Sequence, residues 1–302
     1  MDGLLVIDKP EGITSHDVVA RLRKILNTKK IGHTGTLDPF ATGVMVIVVG
    51  RATRLAQFLD KDQKEYDLLV KFGYETDTGD RTGERRERDP NYEPRTIMPD
   101  DLIRVISGHM GEISQVPPMY SAKKINGQKL YEMARRGEEV ARQPIDATIF
   151  KIELNQNDLP VEVESDTFYL RFLVTCSAGT YMRTLAEDIG RDLGPGAHLE
   201  QLRRLRSGRF GIEQAVTLEE LENADNPGKY LLPVEEAVSH LPEFKLPQDR
   251  VDKTLNGLPS RPEDPAFEDG SSVRMSAPDG RLIAVGTYSA KEKTVHPGVV
   301  IG

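Results

Sequence analysis

The stretch from Phe168 to Cys176 constrains the fold more than any other part of the sequence. Apolar side chains occupy every second position along it, namely Phe168, Leu170, Phe172 and Val174. This alternation is typical of a strand with one buried face. A helical pattern follows from about 181 to 193 and stops at Gly194-Pro195-Gly196, since both residue types interrupt helices. A strand that leads directly into a helix predicts a mixed α/β chain.

The rest of the first 210 residues shows the same mixture of elements. Strands are predicted at Leu4–Ile7 and Tyr66–Phe72, and Val44–Val49 fits either a buried strand or a short helix. Helices are predicted after a cap at Thr14 or Ser15, from Pro99 to Ile106, over Leu130–Arg136, and along a segment whose buried side carries Leu199, Leu202 and Leu205. Residues 75–96 are polar, and we expect a long surface loop there.

The character of the chain changes after about residue 240. Short β-like segments, separated by Gly, Pro and Asp turns, lie at Ser272–Ser276, Leu282–Tyr288 and Gly298–Ile301. This pattern is typical of a small all-β unit. We therefore predict two domains, a larger one over 1–240 and a smaller one over 241–302.

Composition excludes several classes of protein. No apolar run approaches the roughly 20 residues of a membrane span, and the N-terminus lacks a basic, signal-like start. Cys176 is the single cysteine, so no intrachain disulfide forms, and a reducing, cytoplasmic location is expected. No Cys/His cluster has the spacing of zinc ligands, and the phosphate-loop, dinucleotide-binding and nucleophile-elbow motifs are absent. We therefore expect neither a metal nor a cofactor.

The net charge of −8 argues against a uniformly basic RNA-binding protein. The acidic excess, however, is concentrated in residues 60–119 and 210–302. Three basic runs lie elsewhere, at 21–30, at 123–136 and at 203–209. They are either ordinary solvated surface or parts of one basic face that the fold assembles.

Asp38 lies in an unusual loop, Gly32-His-Thr-Gly-Thr-Leu-Asp-Pro-Phe-Ala-Thr-Gly43. Small neighbours allow a substrate to approach closely, and Pro39 stiffens the loop and disfavours helical conformation at Asp38. The side chains of Thr34, Thr36 and Thr42 can donate hydrogen bonds to a carboxylate or a phosphate. The residues of the loop alone fit either an Asp-Pro turn or a reactive carboxylate. A reactive aspartate needs a cation beside it, and Arg183, near the start of the helix at 181–193, is the best candidate.

Four blocks of sequence resemble the TruB family of tRNA pseudouridine synthases over residues 3 to about 210. They are Gly3-Leu-Leu-Val-Ile-Asp-Lys-Pro-Glu-Gly-Ile-Thr-Ser-His-Asp17, the Gly32–Gly43 loop, Pro117-Pro-Met-Tyr-Ser-Ala-Lys-Lys124, and Cys176-Ser-Ala-Gly-Thr-Tyr-Met-Arg183 with its continuation to Leu205. The resemblance implies an α/β (α+β) fold with a mainly antiparallel sheet and flanking helices. It also implies a small C-terminal domain of the PUA type.

The resemblance implies isomerisation of uridine to pseudouridine in RNA, most often at position 55 in the T loop of tRNA, without cofactor, metal or guide RNA. Asp38 would attack the ribose C1′ or remove a proton from C2′, and the sequence leaves both routes open. Arg183 would pair with Asp38, and Tyr66 would stack on the base and suit deprotonation of C5. Further residues that match the pocket and hold the flipped nucleotides are Lys9, Pro10, His33, Tyr181 and Leu202.

RNA contacts are predicted outside this pocket as well. Residues 120–142, with Lys123 and Lys124, would form a mobile thumb over the RNA. The run Arg203, Arg204, Arg206 and Arg209 would bind phosphates, as would Thr36 in the loop. We expect a cytoplasmic monomer that binds the T arm of tRNA and no membrane. A guide-dependent synthase and an RNA-binding protein without catalysis are the competing hypotheses.

Overall fold

The computed structural model describes residues 1–59, 63–86, 97–121, 123–125, 127–134, 136–138, 140–154, 167–263 and 266–301. The helices are α1 (Ser15–Ile25), α2 (Pro99–Gly108), α3 (Leu130–Ala134), α4 (Met182–Leu193), α5 (Leu218–Glu222) and α6 (Gln248–Leu255). Short 3-10 helices lie at Gly50–Phe58, Ile212–Gln214, Pro227–Tyr230 and Val234–Ala237.

The strands are β1 (Gly3–Lys9), β2 (Ile31–Thr34), β3 (Thr42–Val49), β4 (Lys64–Phe72), β5 (Gly111–Gln115), β6 (Lys124–Ile125), β7 (Gln128–Lys129), β8 (Ile145–Leu154), β9 (Phe168–Cys176), β10 (Ala197–Ser207), β11 (Phe210–Gly211), β12 (Val216–Thr217), β13 (Glu243–Lys245), β14 (Ser272–Ser276), β15 (Leu282–Ser289) and β16 (Thr294–Val300).

One large sheet organises the described part of the first 217 residues. Its strand order is β12-β1-β3-β10-β4-β9-β8-β5, with β2 added to β3 and β11 to β10. The β1–β12 and β3–β10 pairs are parallel, and the other described pairs are antiparallel. The predicted fold class, mixed and mainly antiparallel with flanking helices, is confirmed.

Helices bury two parts of this sheet. The apolar sides of α2 and α4 pack against β4, β9 and β10 and form the largest core. The other part is covered by α1 and α5, whose Val18, Leu22 and Leu221 pack against β1 and β3. Thr14 caps α1 through a reciprocal pair of hydrogen bonds with Asp17, which confirms the predicted start of that helix.

The segment with Leu199, Leu202 and Leu205 is not a helix, and that prediction was wrong. It is the strand β10, which pairs with β4. Register shifts lie between Leu199 and Gln201 and between Arg204 and Arg206. Because each bulge adds one residue to the strand, the inward-facing positions are spaced by three as well as by two. Because apolar residues three positions apart also occur in helices, this spacing was mistaken for a helical pattern.

A second, four-stranded sheet, β13-β14-β15-β16, forms the C-terminal part. It confirms the predicted β unit and adds the helix α6, which the sequence analysis did not predict. Leu282, Val285 and Ile301 share a hydrophobic cluster with Leu4 and other side chains of β1 and β3. The C-terminal sheet is therefore packed against the large sheet through a common core.

Two further results concern the classes excluded above. None of the helices in the described ranges is long and apolar enough to cross a membrane. Within the same ranges, no group of three or more His, Cys, Asp and Glu side chains is arranged to hold a metal ion.

Candidate active site

The loop that carries Asp38 is held from behind by β1 and the start of α1. The Ser15 hydroxyl donates to the Leu37 carbonyl over 3.0 Å and accepts from the Leu37 amide over 2.9 Å. Lys9 is fully buried, and its Nζ donates to the carbonyls of Pro10 (3.0 Å), Pro39 (3.3 Å) and Ala41 (2.7 Å). Burial lowers the pKa of Lys9 to about 8, and the negative charge of Asp38 opposes this decrease. Lys9 thus ties the part of the loop that follows Asp38 to the end of β1.

Gly43 allows the loop to rejoin the sheet. Its φ of +100° is unfavourable for residues with a side chain, and a Cβ there would collide with the backbone of Arg204 on the neighbouring strand β10. The parallel pairing of β3 with β10 begins at this point. The glycine therefore brings the end of the Asp38 loop directly against β10.

Asp38 is ion-paired with Arg183, as the sequence predicts. Arg183 lies in the first turn of α4, and its Nε is 2.9 Å from Oδ2 of Asp38. Its Nη1 donates to the Thr78 carbonyl over 2.9 Å, and its Nη2 donates to the Tyr120 carbonyl over 2.6 Å. The side chain of Arg183 is 5% exposed and that of Asp38 is 30% exposed. The carboxylate is thus open to a ligand while its partner is enclosed.

Asp80 is a second carboxylate near Arg183, and the sequence analysis missed it. Its Oδ2 lies 3.7 Å from Nη1 of Arg183, and its side chain is 5% exposed. Oδ1 accepts hydrogen bonds from the Thr78 hydroxyl (3.0 Å), the Thr82 amide (2.9 Å) and the Thr82 hydroxyl (2.5 Å). The prediction of a surface loop over residues 75–96 was wrong at Asp80, which is buried. Residues 87–96 of this loop lie outside the described residues. The signal was available, because Asp80, like Asp38, stands among threonines and a glycine.

Burial raises the pKa of Asp38 above its usual range, and the nearby Asp80 carboxylate adds to the rise. The charges of Arg183 and Lys9 act in the opposite direction. These opposing effects leave a carboxylate that is oriented by an ion pair but poorly solvated. Such a group is more reactive than a hydrated carboxylate, either as a nucleophile or as a base.

Asp38 opens onto a cavity of about 250 Å³, which we call the Asp38 cavity. Among its lining residues are eight of the predicted site residues, namely Thr36, Asp38, Tyr66, Lys123, Tyr181, Arg183, Leu202 and Arg204. A neighbouring cavity of about 450 Å³ shares Thr36, Asp38 and Arg183 with it and continues towards His16 and Tyr120. Asp38 therefore stands where two adjoining cavities meet.

Tyr66 forms part of the cavity wall from β4. It is 8% exposed, and on β10 its direct cross-strand partner is Arg204. Burial raises the pKa of Tyr66, although the Arg204 charge opposes the rise.

Arg204 differs from the expected exposed phosphate ligand. Its side chain points inwards and is 1% exposed. Nε donates to the Val44 carbonyl over 2.6 Å, and Nη2 donates to the Gly35 carbonyl over 3.0 Å. Its guanidinium is thus turned away from the surface, and phosphate binding by Arg204 stays a prediction. Arg204 belongs to the cavity instead.

The other basic residues of that run are more exposed and paired with acids. Arg203 lies 2.7 Å from Asp8, and Arg206 lies 3.3 Å from Glu65. Arg209 lies 2.9 Å from Glu236. Phosphate binding by these side chains stays a prediction, and it would require exchange of an exposed protein carboxylate for a phosphate.

The remaining predicted site residues lie outside the lining of the Asp38 cavity. Lys9 and Pro10 lie behind the loop, where Lys9 holds it. His33, on β2, faces His16 edge-on with ring centroids 5.8 Å apart, and burial lowers its pKa to about 4. Lys124 is described only as part of the strand β6, and its side chain lies outside the described residues. The binding roles of these four residues stay predictions.

Comparisons with known proteins identify relatives of this chain. The model of the "TruB family pseudouridylate synthase (N terminal domain)" matches residues 23–182, and that of the "tRNA pseudouridylate synthase B C-terminal domain" matches residues 183–239. A tRNA pseudouridine synthase B of Bacillus pumilus is 40% identical over 100% of this chain and 98% of its own length. Its counterpart in Geobacter sulfurreducens is 42% identical over 98% of both chains.

Solved structures show the same fold. The crystal structure of a Cbf5-Nop10-Gar1 complex contains a chain with a TM-score of 0.74 and 30% identity, over 99% of this chain and 85% of that one. The structure of an H/ACA RNP bound to a substrate RNA containing 2′-deoxyuridine gives a TM-score of 0.73 and 27% identity, over 99% and 85%. From the matched family models and the full-length identity, the chain belongs to the TruB family of pseudouridylate synthases.

Proposed function

We propose that this protein is a guide-independent tRNA pseudouridine synthase that isomerises uridine 55 in the T loop of tRNA, with Asp38 as the catalytic carboxylate. One observation carries the proposal. Asp38 is ion-paired with the enclosed Arg183 over 2.9 Å and opens onto a cavity whose wall includes the buried Tyr66. The pair supplies an oriented anion, and the cavity supplies a place for one nucleotide beside it.

The shape of the site requires the target nucleotide to leave its stack. Asp38 lies within a cavity of about 250 Å³, so a base still stacked in an RNA loop cannot reach it. Extrusion costs a few kcal/mol, which contacts with the extruded nucleotide must offset. Tyr66, Tyr181 and Leu202 line the cavity and supply aromatic and apolar surface for these contacts.

The roles of the three central residues follow from their contacts. Ionised Asp38 acts on the ribose, and Arg183 keeps it ionised and oriented. Tyr66 faces the base and exchanges a proton with it. Both routes open to Asp38, attack on C1′ and removal of the C2′ proton, require the ionised carboxylate.

The RNA that surrounds the target nucleotide would be held by residues at the rim of the Asp38 cavity. Ser121 and Lys123 of the segment 120–142 line the Asp38 cavity, which supports a role for this segment in closing over the RNA. We propose that residues 1–240 carry the chemistry and that residues 241–302 form a second unit packed on them. The protein would act as a cytoplasmic monomer.

A guide-dependent synthase is the second candidate, because two structural relatives come from Cbf5 and H/ACA assemblies. The full-length relatives named tRNA pseudouridine synthase B favour the stand-alone enzyme. Purified protein should be incubated with an unmodified tRNA transcript labelled with tritium at C5 of uridine, without guide RNA or cofactor. We expect tritium release and a single pseudouridine at position 55.

The matched control is Asp38→Asn, which keeps the shape of the side chain. We expect this variant to bind tRNA with an affinity near that of the wild type and to release no tritium above background. Release by the variant at the wild-type rate would contradict the role of Asp38. Failure of the wild type without guide RNA, together with activity when a guide ribonucleoprotein is supplied, would favour the second candidate.

A further inference from the structure

Arg204 is a buried cation that has no acidic partner among the described residues. In the described part of the chain, no carboxylate lies within ion-pair distance of its guanidinium, and its side-chain hydrogen bonds go to the carbonyls of Val44 and Gly35. Buried charges in proteins are normally paired, because removing them from water is costly. A neutral side chain that packed there would avoid this cost. The charge therefore calls for a functional explanation.

The neighbours of Arg204 define where that charge acts. Tyr66 is its cross-strand partner on β4, and Gly43 is its partner on β3. Its guanidinium also lines the Asp38 cavity. Arg204 thus lies between the Asp38 loop and Tyr66, at the wall of the cavity that would receive the nucleotide.

The geometry points to Arg204 as a positioning residue that orients the Tyr66 hydroxyl and stabilises its ionised form during the proton transfers of the reaction. This inference rests on the proposed function. It goes beyond it by assigning to an internal arginine a role that its place in a basic run of the sequence does not indicate.

The proton balance of the isomerisation gives this role its chemistry. The C1′–N1 bond breaks and a C1′–C5 bond forms, while one proton is lost from C5 and one is gained at N1. Burial raises the pKa of Tyr66, so its phenol is protonated at rest. It can donate that proton to N1 of the detached base and then accept the C5 proton. The electron pair of the C5–H bond returns to the ring and restores the C5–C6 double bond.

Between these two transfers Tyr66 is a phenolate, and the cation that faces it across the β4–β10 pair is Arg204, whose charge opposes the rise in the pKa of Tyr66. The phenol is regenerated at the end, so no further acid or base is needed. A permanently charged guanidinium suits this task, because it stabilises the phenolate and does not itself release a proton.

The test is a single-turnover comparison of Arg204→Met, Arg204→Lys, Tyr66→Phe and the double variant Tyr66→Phe/Arg204→Met on labelled tRNA. We expect Arg204→Met to lower the rate about 100-fold with a tRNA Kd within about two-fold of wild type, as for loss of one preorganised donor to a developing anion. Arg204→Lys should recover part of the rate. In the Tyr66→Phe background, the Arg204 substitution should have no further effect.

Other outcomes would overturn the inference. Losses that multiply in the double variant would show that Arg204 acts independently of Tyr66, for example by supporting the loop. A weaker Kd with an unchanged rate at saturating enzyme would mark a phosphate contact. If Arg204→Met does not fold, the Arg204→Lys variant, alone and combined with Tyr66→Phe, gives the same comparison. An inactive wild type would reject the proposed function, whereas an active wild type with a fully active Arg204→Met would reject only this inference.

Discussion

Arg183 contacts two carboxylates that are far apart in the sequence, and its Nη1 lies 3.7 Å from Oδ2 of Asp80 while its Nε pairs with Asp38. Asp80 is held in turn by Thr78 and Thr82. The orientation of the proposed catalytic carboxylate therefore depends on a loop whose Thr78, Asp80 and Thr82 line the cavity that adjoins the Asp38 cavity.

Neutralising Asp80 should impair the reaction more than the binding of tRNA. Asp80→Asn removes one of the two negative charges that lie beside Arg183. We expect the single-turnover rate to fall by about 10- to 100-fold, with the Kd for tRNA within about two-fold. Asp77→Asn is the matched control, because Asp77 is exposed and in the same loop. Equal effects of the two substitutions would contradict the assignment.

Replacing Arg183 should nearly abolish turnover. Arg183→Met leaves Asp38 without its partner and also leaves the carbonyls of Thr78 and Tyr120 without their donor. We expect the rate to fall by about 10³-fold, which corresponds to about 4 kcal/mol. Pre-steady-state tritium release would measure it, with thermal unfolding as a check on folding. A loss of less than about 10-fold would mean that another group orients Asp38.

Asp38 should make activity and stability change with pH in opposite directions. Its pKa is raised in the folded protein, so ionised, active Asp38 accumulates only above the usual carboxyl range, and the rate should rise with pH there. The folded state binds this proton more tightly than the unfolded state does. Its contribution to stability is therefore present at low pH and is lost as pH rises through the folded pKa. We predict that Asp38→Asn raises Tm at neutral pH, and that the difference from wild type shrinks on acidification.

Asp17 provides the control of opposite sign. The Thr14 hydroxyl and amide lower its pKa, so its contribution to stability is present above the unfolded pKa and is lost as pH falls through the folded pKa. Asp17→Asn should therefore lower Tm at neutral pH. A lower Tm for Asp38→Asn as well would show that the Arg183 ion pair outweighs burial.

Truncating Leu282 should destabilise the whole chain. Leu282 is 3% exposed and lies in the cluster that joins the C-terminal sheet to β1 and β3. A buried Leu→Ala substitution costs about 2–5 kcal/mol. We expect one shifted unfolding transition by circular dichroism. Leu258→Ala is the control, since Leu258 is 52% exposed, and a shift confined to a separate C-terminal transition would show that the two sheets unfold independently.

Salt should reveal any phosphate contacts made by Arg203 and Arg206. Both side chains are partly exposed on β10 and already paired with acids. If each exchanges its carboxylate for a phosphate, Arg203→Met should weaken tRNA binding and reduce the slope of log Kd against log salt by about 0.7–0.9. An unchanged slope for Arg203→Met and for Arg206→Met would show that these two side chains do not contact RNA phosphates.

Local sequence patterns correctly predicted the elements in which buried and exposed side chains recur at a regular spacing. The alternation in Phe168–Cys176, the cap at Thr14 and the stop at Gly194 correspond to β9, α1 and the end of α4. The pattern was misleading in β10, because two bulges change the spacing of its buried residues. It was also misleading at Asp80, because the polar composition of residues 75–96 indicated a surface loop although Asp80, like Asp38, stands among threonines and a glycine.

The sequence by itself determined the mixed fold class and the family resemblance, since these depend on short-range periodicity and on motifs that are continuous along the chain. It named Arg183 as a candidate partner of Asp38, and the tertiary structure shows that the pair forms. Only the tertiary structure decided that Asp80 is the second carboxylate at Arg183 and that Arg204 faces Tyr66 instead of solvent. The reason is that burial and charge pairing are properties of segments brought together by the sheet. The order of residues within any one segment does not contain them.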